Sequence, residues 1–316
     1  MLTPLVALVV AFGAAAALTP AVRSLARRRG LLDHPNKRKV HDVALPRLGG
    51  VAIAVGFYAG LAGAWLVASQ STSPVRVTDL FIAVLLGAAL VVGIGLVDDL
   101  FGMRARAKLF AQIAAASAVF LLGLSIDHLD GPWGRVELGI WSPLVTVAWF
   151  ILVMNAINLI DGLDGLAAGV GLVGIGAFAL MASAGDAQLP IGLILAAGAG
   201  GVLGFLPFNV YPASIIMGDT GSFLLGFILA AAGVAVTQTG SPGAAPWAPL
   251  LVLGLALGDT AWAVIRRARA RTSIFSPDKL HVHHRLLAAG LPQRRAVLVL
   301  WTISAALALL GVVTAR

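Results

Sequence analysis

"DLFIAVLLGAALVVGIGLVDDL", residues 79–100, runs from Asp79 to Asp98 without a charge and then closes on two adjacent aspartates. A bilayer crossing needs about 20 largely apolar residues, so this run can cross a membrane and its aspartates fall at the membrane edge. The rest of the chain repeats the pattern. Of its 316 residues, 59% are hydrophobic and only 11% charged, against roughly 25% charged in a soluble domain. Working outward from 79–97, the apolar runs predict ten spans: near 2–22, 47–68, 79–97, 107–125, 141–157, 166–184, 189–208, 220–238, 247–265 and 296–314. The expected fold is a single all-α polytopic membrane domain over 1–316. The absence of cysteine excludes disulfides, a thiolate nucleophile and a thiolate metal site.

The ten spans place the connecting loops alternately on two sides. All 22 lysines and arginines fall on one side, except Arg76, Arg135 and Arg316. That side is therefore expected to be cytoplasmic, with both termini outside. The net charge of +8 is read as this topological bias and not as a nucleic-acid footprint. "RSLARRRG" after the first apolar run suits a retained span better than a cleaved leader. On the opposite side, "GPWGRVEL" and "TGSPGAAPW" carry turn signals and suit a short hairpin or an irregular loop.

The chemistry-bearing residues collect on the basic side. Asp98 and Asp99 repel each other unless a proton or cation relieves them, and they oppose the macrodipole at a helix C-terminus. A metal ion, or nearby Arg104, Arg106 and Lys108, can offset this; an ordinary solvated helix end is the plainer alternative. In "NAINLIDGLDGL", Asn158, Asp161 and Asp164 recur every three residues, which on an ideal helix confines them to an arc of about 120°. Gly162 and Gly165 weaken that helix and allow close approach, and a polar loop with capping side chains is the competing explanation. Asn209 and Asp219 flank Pro212 in "NVYPASIIMGDTGS". Asp219 suits a helix cap, but also a glycine-rich helix start that receives phosphate or a magnesium site shared with phosphates. His281, His283, His284 and Arg285 in "HVHHRL" favour phosphate donation over zinc, because the other ligands available are hard oxygens.

In this order, "KRKVHDVALPRLGG", "VDDLFGMRARAKLFAQ", "NAINLIDGLDGL", "NVYPASIIMGDTGS" and "HVHHRL" resemble the polyprenyl-phosphate N-acetylhexosamine-1-phosphate transferase superfamily (glycosyltransferase family 4). The form of the first and last motifs is similar to the branch that uses undecaprenyl phosphate and UDP-N-acetylglucosamine. The resemblance implies transfer of a sugar 1-phosphate from a UDP-N-acetylhexosamine to a polyprenyl phosphate, with release of UMP. It also implies Mg2+, with Mn2+ as a substitute, a bacterial cytoplasmic membrane, a first membrane step of cell-envelope polysaccharide synthesis, and a homodimer. Within it, Asp219 would be the Mg2+ ligand, with Asn155 or the aspartate pair completing the shell, and Asp98 or Asp99 would position the lipid phosphate or act as its base. Asn158, Asp161 and Asp164 match nucleotide positions; Lys39, Lys108, Asn209, His281, His283, His284 and Arg285 match phosphate-holding ones.

Two departures stand out: Gly102 replaces a third acidic or amide residue, and Ile216 replaces a phenylalanine. Muramoyl-pentapeptide phosphotransfer within the superfamily is one alternative. From other classes, the alternatives are an ion-coupled transporter, whose acids would lie near the membrane midplane, and an inactive scaffold.

Overall fold

The computed structural model describes residues 2–35, 43–69, 79–132, 134–183, 188–238, 245–273 and 280–315. Lys39 lies outside them. Seven helices are long and apolar enough to cross a membrane by length and composition. They are α1 (Leu2–Arg28), α2 (Gly49–Ser69), α3 (Asp79–Phe101), α5 (Ser142–Ile160), α7 (Gln188–Asn209), α8 (Gly218–Gln238) and α12 (Gln293–Thr314). The other three expected spans are occupied by shorter helices. These are α4 (Ala105–Leu121), α6 (Leu166–Ala182) and a pair, α9 (Trp247–Val252) and α10 (Gly254–Arg269), interrupted at Leu253. A last short helix, α11 (Val282–Ala288), stands where only a loop was expected.

α8 is the axis of the bundle. Its sequence "GDTGSFLLGFILAAAGVAVTQ" is apolar all round from Phe223 to Val236, as an enclosed helix should be, and every residue from Thr220 to Val236 is buried. α2, α3, α5, α6 and α7 pack against it. The approach is close because glycines stand at the crossings: a Cβ on Gly95 of α3 would lie 2.5 Å from the Thr220 backbone, and one on Gly226 of α8 would lie 2.7 Å from Met154 Cα in α5. Gly50 of α2 meets the Gly221 backbone in the same way. Small residues replace the missing hydrophobic drive between helices in lipid by letting backbones touch. Here they also bring the C-terminal end of α3 level with the N-terminal end of α8.

At that end the connections are short and mutually bonded. Gly102, in the left-handed region (φ +72°), stops α3 and donates its N–H to Asp98 O at 2.8 Å, an ordinary glycine helix stop. That turn is what this chain makes of the position where relatives were expected to carry an acid. α5 stops at Ile160, and residues 161–165 form a tight loop ending in Gly165 (φ +77°). The loop expected at 158–165 is thus shorter, and the polar stripe is cut in two: Asn155 and Asn158 are helical, whereas Asp161 and Asp164 belong to the loop. The strand pair β1 (Leu32–Asp33) and β2 (Leu45–Pro46) continues into a backbone ladder, with Ile216 N–H to Pro46 O, Gly49 N–H to Ile216 O and Gly50 N–H to Met217 O at 3.0, 3.0 and 2.7 Å. Ile216 thus contributes its backbone to a strap across the bundle end.

At the opposite end, β3 (His128–Gly131) and β4 (Gly134–Glu137) form an antiparallel hairpin. Asp130 holds Arg135 through two hydrogen bonds of 2.8 and 2.9 Å. Gln238 ties the hairpin to α8 by accepting from Asp127 N–H and donating to His128 O. Of the second expected turn, "TGSPGAAPW", residues 239–244 lie outside the described part of the chain.

Candidate active site

Asp98, Asp99 and Asp219 come together where α3 meets α8: one oxygen of each lies within 4.8 Å of the others. Lys108, one turn into α4, places Nζ between two of them, 2.7 Å from Asp98 Oδ2 and 2.6 Å from Asp219 Oδ2. The other Asp219 oxygen accepts from Asn158 Nδ2 at 3.0 Å, and the same amide donates to Ser222 Oγ at 2.9 Å. Asp98 also accepts the Met103 N–H at 2.6 Å, which fixes its carboxylate against the turn after α3.

Asp99 is occupied differently. Its Oδ1 accepts the Asp219 N–H at 2.9 Å, and its Oδ2 accepts the Thr220 N–H at 3.0 Å and the Thr220 hydroxyl at 2.6 Å. A helix start leaves its first N–H groups without internal partners, and a side-chain oxygen normally caps them from the preceding residue. Here the cap comes from another helix. Gly218 (φ +72°) makes room for it, since a Cβ there would stand 2.7 Å from both Asp99 oxygens. Asp99 is therefore the buried brace that sets the position of Asp219.

The remaining expected site residues divide by what holds them. Asp161 is half-buried in the 161–165 loop. Burial first, then the carboxylates of Asp219, Asp99, Asp164 and Asp33, push its own carboxyl up to about 7. Asp164 accepts the Ala213 N–H at 2.9 Å and so joins this loop to the 210–217 segment. Asn209, expected on a phosphate, is enclosed within the protein instead. It is 2% exposed; its Oδ1 accepts from Gly165 N–H and its Nδ2 donates to Ile215 O, both at 3.1 Å. Asn155, expected beside the metal, lies about one turn deeper, with Nδ2 donating to Gln112 Oε1 at 2.7 Å and to Ile151 O at 2.8 Å. The amide that reaches Asp219 is that of Asn158.

The histidine group enters from α11. His283 is 2% exposed, and its ring fills the space a side chain at Gly162 would need. His281 and His283 lie parallel with centroids 5.8 Å apart, and His283 and His284 are 4.3 Å apart. Arg285 is exposed on the same helix. Asp259 and the Asp33–Arg47 pair were not anticipated from the sequence. Asp259 accepts from Val282 N–H at 2.8 Å and stands 2.7 Å from His281 Nδ1; Arg47 donates to buried Asp33 at 2.9 Å. An acid inside the apolar run 247–265 was the available signal for the first.

Burial, with the neighbouring His284 and His281 adding to it, lowers the His283 imidazole to about 4, against about 6.5 in an unfolded chain. Between these values the unfolded chain binds a proton that the folded ring refuses. Stability contributed here is full above about pH 6.5 and declines as pH falls toward 4. The expected loss is about 2 kcal/mol at pH 5. Thermal unfolding at pH 7.5 and pH 5 should show that loss, and His283→Gln should flatten it; an unchanged slope in the variant would assign the loss elsewhere.

Among the described residues, the one group of three or more acids and histidines close enough to share a metal is Asp98, Asp99 and Asp219. Its donors are all carboxylate oxygens, which suit a hard divalent cation better than zinc. The Lys108 ammonium already sits between two of them, so positive charge is accommodated there. A divalent cation fits this donor set.

The glycosyl transferase family 4 profile matches residues 81–237, from the first turn of α3 to the last turn of α8. A probable undecaprenyl-phosphate N-acetylglucosaminyl 1-phosphate transferase of Bacillus subtilis (strain 168) is 38% identical over 305 residues, 96% of this chain and 82% of that protein. A decaprenyl-phosphate N-acetylglucosaminephosphotransferase of Mycobacterium tuberculosis (strain H37Rv) is 39% identical over 308 residues, 90% of this chain and 75% of that one. A phospho-N-acetylmuramoyl-pentapeptide-transferase of Desulforudis audaxviator is 36% identical over 341 residues, 98% of both. With relatives this similar along nearly its whole length, and with the matched region spanning the aspartate cluster, the chain belongs to glycosyl transferase family 4.

Proposed function

We propose that this protein transfers N-acetylglucosamine 1-phosphate from UDP-N-acetylglucosamine to undecaprenyl phosphate or a related polyprenyl phosphate, releasing UMP. The observation that carries the reading is the carboxylate cluster with Lys108 at its centre, set at the end of membrane-length helices in a chain whose relatives are named for this transfer. An oxygen of the lipid phosphate forms a bond to the β-phosphorus of the nucleotide. The bond from that phosphorus to the oxygen it shares with the α-phosphate breaks, and this oxygen leaves on UMP. A phosphate monoester, with a second pKa near 6, is largely dianionic at neutral pH, so no residue has to remove a proton from it.

The difficulty is charge. Two anionic substrates must meet beside Asp33, Asp98, Asp99, Asp161, Asp164 and Asp219. Mg2+, or Mn2+ in its place, held by Asp98 and Asp219, would neutralise phosphate oxygens and polarise the bond to phosphorus. Lys108 offers an ammonium to the same oxygens. Asp99 keeps Asp219 in place and needs no chemical step of its own. Asn158 and the 161–165 loop form the side assigned to the nucleotide, and His281, His283, His284 and Arg285 the side assigned to phosphate. The basic residues on this side of the chain support a cytoplasmic orientation in a bacterial plasma membrane. Gathering the acids at one end of the bundle favours transfer over transport, which would distribute them toward the centre.

Purified protein with Mg2+ and undecaprenyl phosphate is expected to release UMP from UDP-N-acetylglucosamine at least about 10-fold faster than from other UDP-sugars, UDP-N-acetylmuramoyl-pentapeptide included. A preference for the pentapeptide donor would move the protein to the branch of the Desulforudis relative. No UMP from any donor would overturn the reading.

A further inference from the structure

We propose that a cavity between α12 and the segment after α7 is a site for an anionic phospholipid, with Arg294 holding the headgroup phosphate and the chains descending along α12. The further consequence, that the bound lipid steadies the nucleotide loop, rests on the transferase reading.

The cavity measures about 230 Å³, and its lining includes Asp164, Tyr211, Arg294, Val297, Leu298 and Trp301. The four α12 members stand at i, i+3, i+4 and i+7, so they form one stripe on one face of the helix. At 1.5 Å per residue the stripe runs about 10 Å along the axis, starting from the second residue of the membrane-length segment Gln293–Thr314. A bilayer of about 40–45 Å with a hydrocarbon core of about 30 Å leaves roughly 5–8 Å of headgroup on each side. With α12 spanning it, Arg294 falls in the headgroup layer, and Leu298 and Trp301 reach the hydrocarbon. Tyrosine and tryptophan are the rings that a membrane–water boundary favours.

Size and shape narrow the occupant. Pockets that enclose whole drug-sized molecules measure about 300–1,000 Å³, so this smaller one accommodates part of a molecule whose remainder lies outside. It opens along Leu298, 57% exposed, onto the outward face of α12, which continues through exposed Ala305 and Leu309. Charge supplies the other end. The Arg294 guanidinium stands 5.6 Å from the Tyr211 ring centroid, a contact made by its charge on the ring face. Among the described residues, no hydrogen bond or ion pair takes its N–H groups, and a guanidinium fork matches two phosphate oxygens at once. The occupant is therefore anionic at one end and apolar at the other, as for lipid headgroups in basic pockets between membrane helices. Asp98, Asp99, Lys108 and Asp219 contribute nothing to the lining, so a phospholipid of the bilayer fits this place better than the acceptor lipid, whose phosphate must reach them.

The acid in the lining gives the site its consequence. Asp164 Oδ2 accepts the Ala213 N–H at 2.9 Å. A lipid held against Tyr211 packs the 210–217 segment onto α12, and the Asp164–Ala213 bond carries that restraint to the loop assigned to the nucleotide.

Native mass spectrometry of full-length protein released from phosphatidylcholine nanodiscs containing phosphatidylglycerol is expected to show one more retained phosphatidylglycerol in wild type than in Arg294→Gln. Arg295→Gln removes the same charge from the next residue, outside the cavity lining, and should match wild type. By calorimetry in nanodiscs, wild type should bind UDP-N-acetylglucosamine about fivefold tighter with phosphatidylglycerol than with phosphatidylcholine alone, and Arg294→Gln should lose that difference. Equal retention in wild type and Arg294→Gln would overturn the site, as would an extra lipid that is phosphatidylcholine as often as phosphatidylglycerol. Displacement of the extra lipid by equimolar undecaprenyl phosphate would also overturn it, making the cavity an acceptor-lipid site. Unchanged nucleotide affinity would overturn the link to the loop. Absence of both UDP-N-acetylglucosamine binding and UMP release in every nanodisc would instead overturn the transferase reading, while the lipid count still decides the site.

Discussion

Asp219→Ala is expected to lower UMP release by about 10³-fold or more, with the folded protein retained. Asp219 is where the site converges: one oxygen faces Lys108 and the other Asn158, while Asp98 and Asp99 stand beside it. Removing its carboxylate leaves Asp98 as the remaining carboxylate not committed to capping α8. Losing several kcal/mol of charge stabilisation at phosphorus corresponds to a loss of this size. Folding should survive because the contribution of residue 219 to the α8 start is its backbone N–H, donated to Asp99, and alanine keeps it. The measurements are UMP release across a Mg2+ titration and the unfolding temperature of the same preparation. Full activity in the variant would sink the assignment of Asp219 to the metal.

Asp99→Ala should act through structure first. It deprives two buried N–H groups and the Thr220 hydroxyl of their acceptor, at about 1–3 kcal/mol for each donor left buried and unsatisfied. Unfolding temperature and activity should therefore fall together. Asp99→Asn sharpens the distinction, since its amide oxygen can serve one N–H while its NH₂ faces another donor. A brace predicts partial loss of stability and partial rescue of activity by high Mg2+, as a displaced Asp219 is refilled. A base predicts an inactive variant with an unchanged unfolding temperature, and that result would return Asp99 to the chemistry.

The helices and the active end of the bundle were legible because polar residues stand out sharply against hydrocarbon. Asp98, Asp99, Asn158 and Asp219 announce themselves as interruptions of apolar runs. Their pairing does not. Asn158 and Asp219 are 61 residues apart, and nothing in the three-residue spacing says that Asn158, not Asn155, will face the aspartate. The three-residue spacing describes one face only on a continuous helix; the loop expected at 158–165 begins at Asp161, so Asn158 is helical while Asp161 and Asp164 are not. The α9–α10 interruption at Leu253 has no proline at the break, so hydropathy reads straight across it. Asp259 was overlooked in the same run, and with it the reason that "HVHHRLLA" is helical: a cap donated from another helix has no local signature.

The brace between Asp99 and α8 also orders events during synthesis. Thr220 lies 121 residues after Asp99, which at about 5–20 residues per second is a wait of roughly 6–24 s. Lys108 emerges almost at once and can pair with Asp98, with which it makes a 2.7 Å contact in the finished protein. Among the described residues, the hydrogen-bond donors to Asp99 are Asp219 and Thr220, which arrive only with α8. The centre of the site therefore cannot close before α8 is made, because Asp219 and both N–H groups that Asp99 accepts lie at its start.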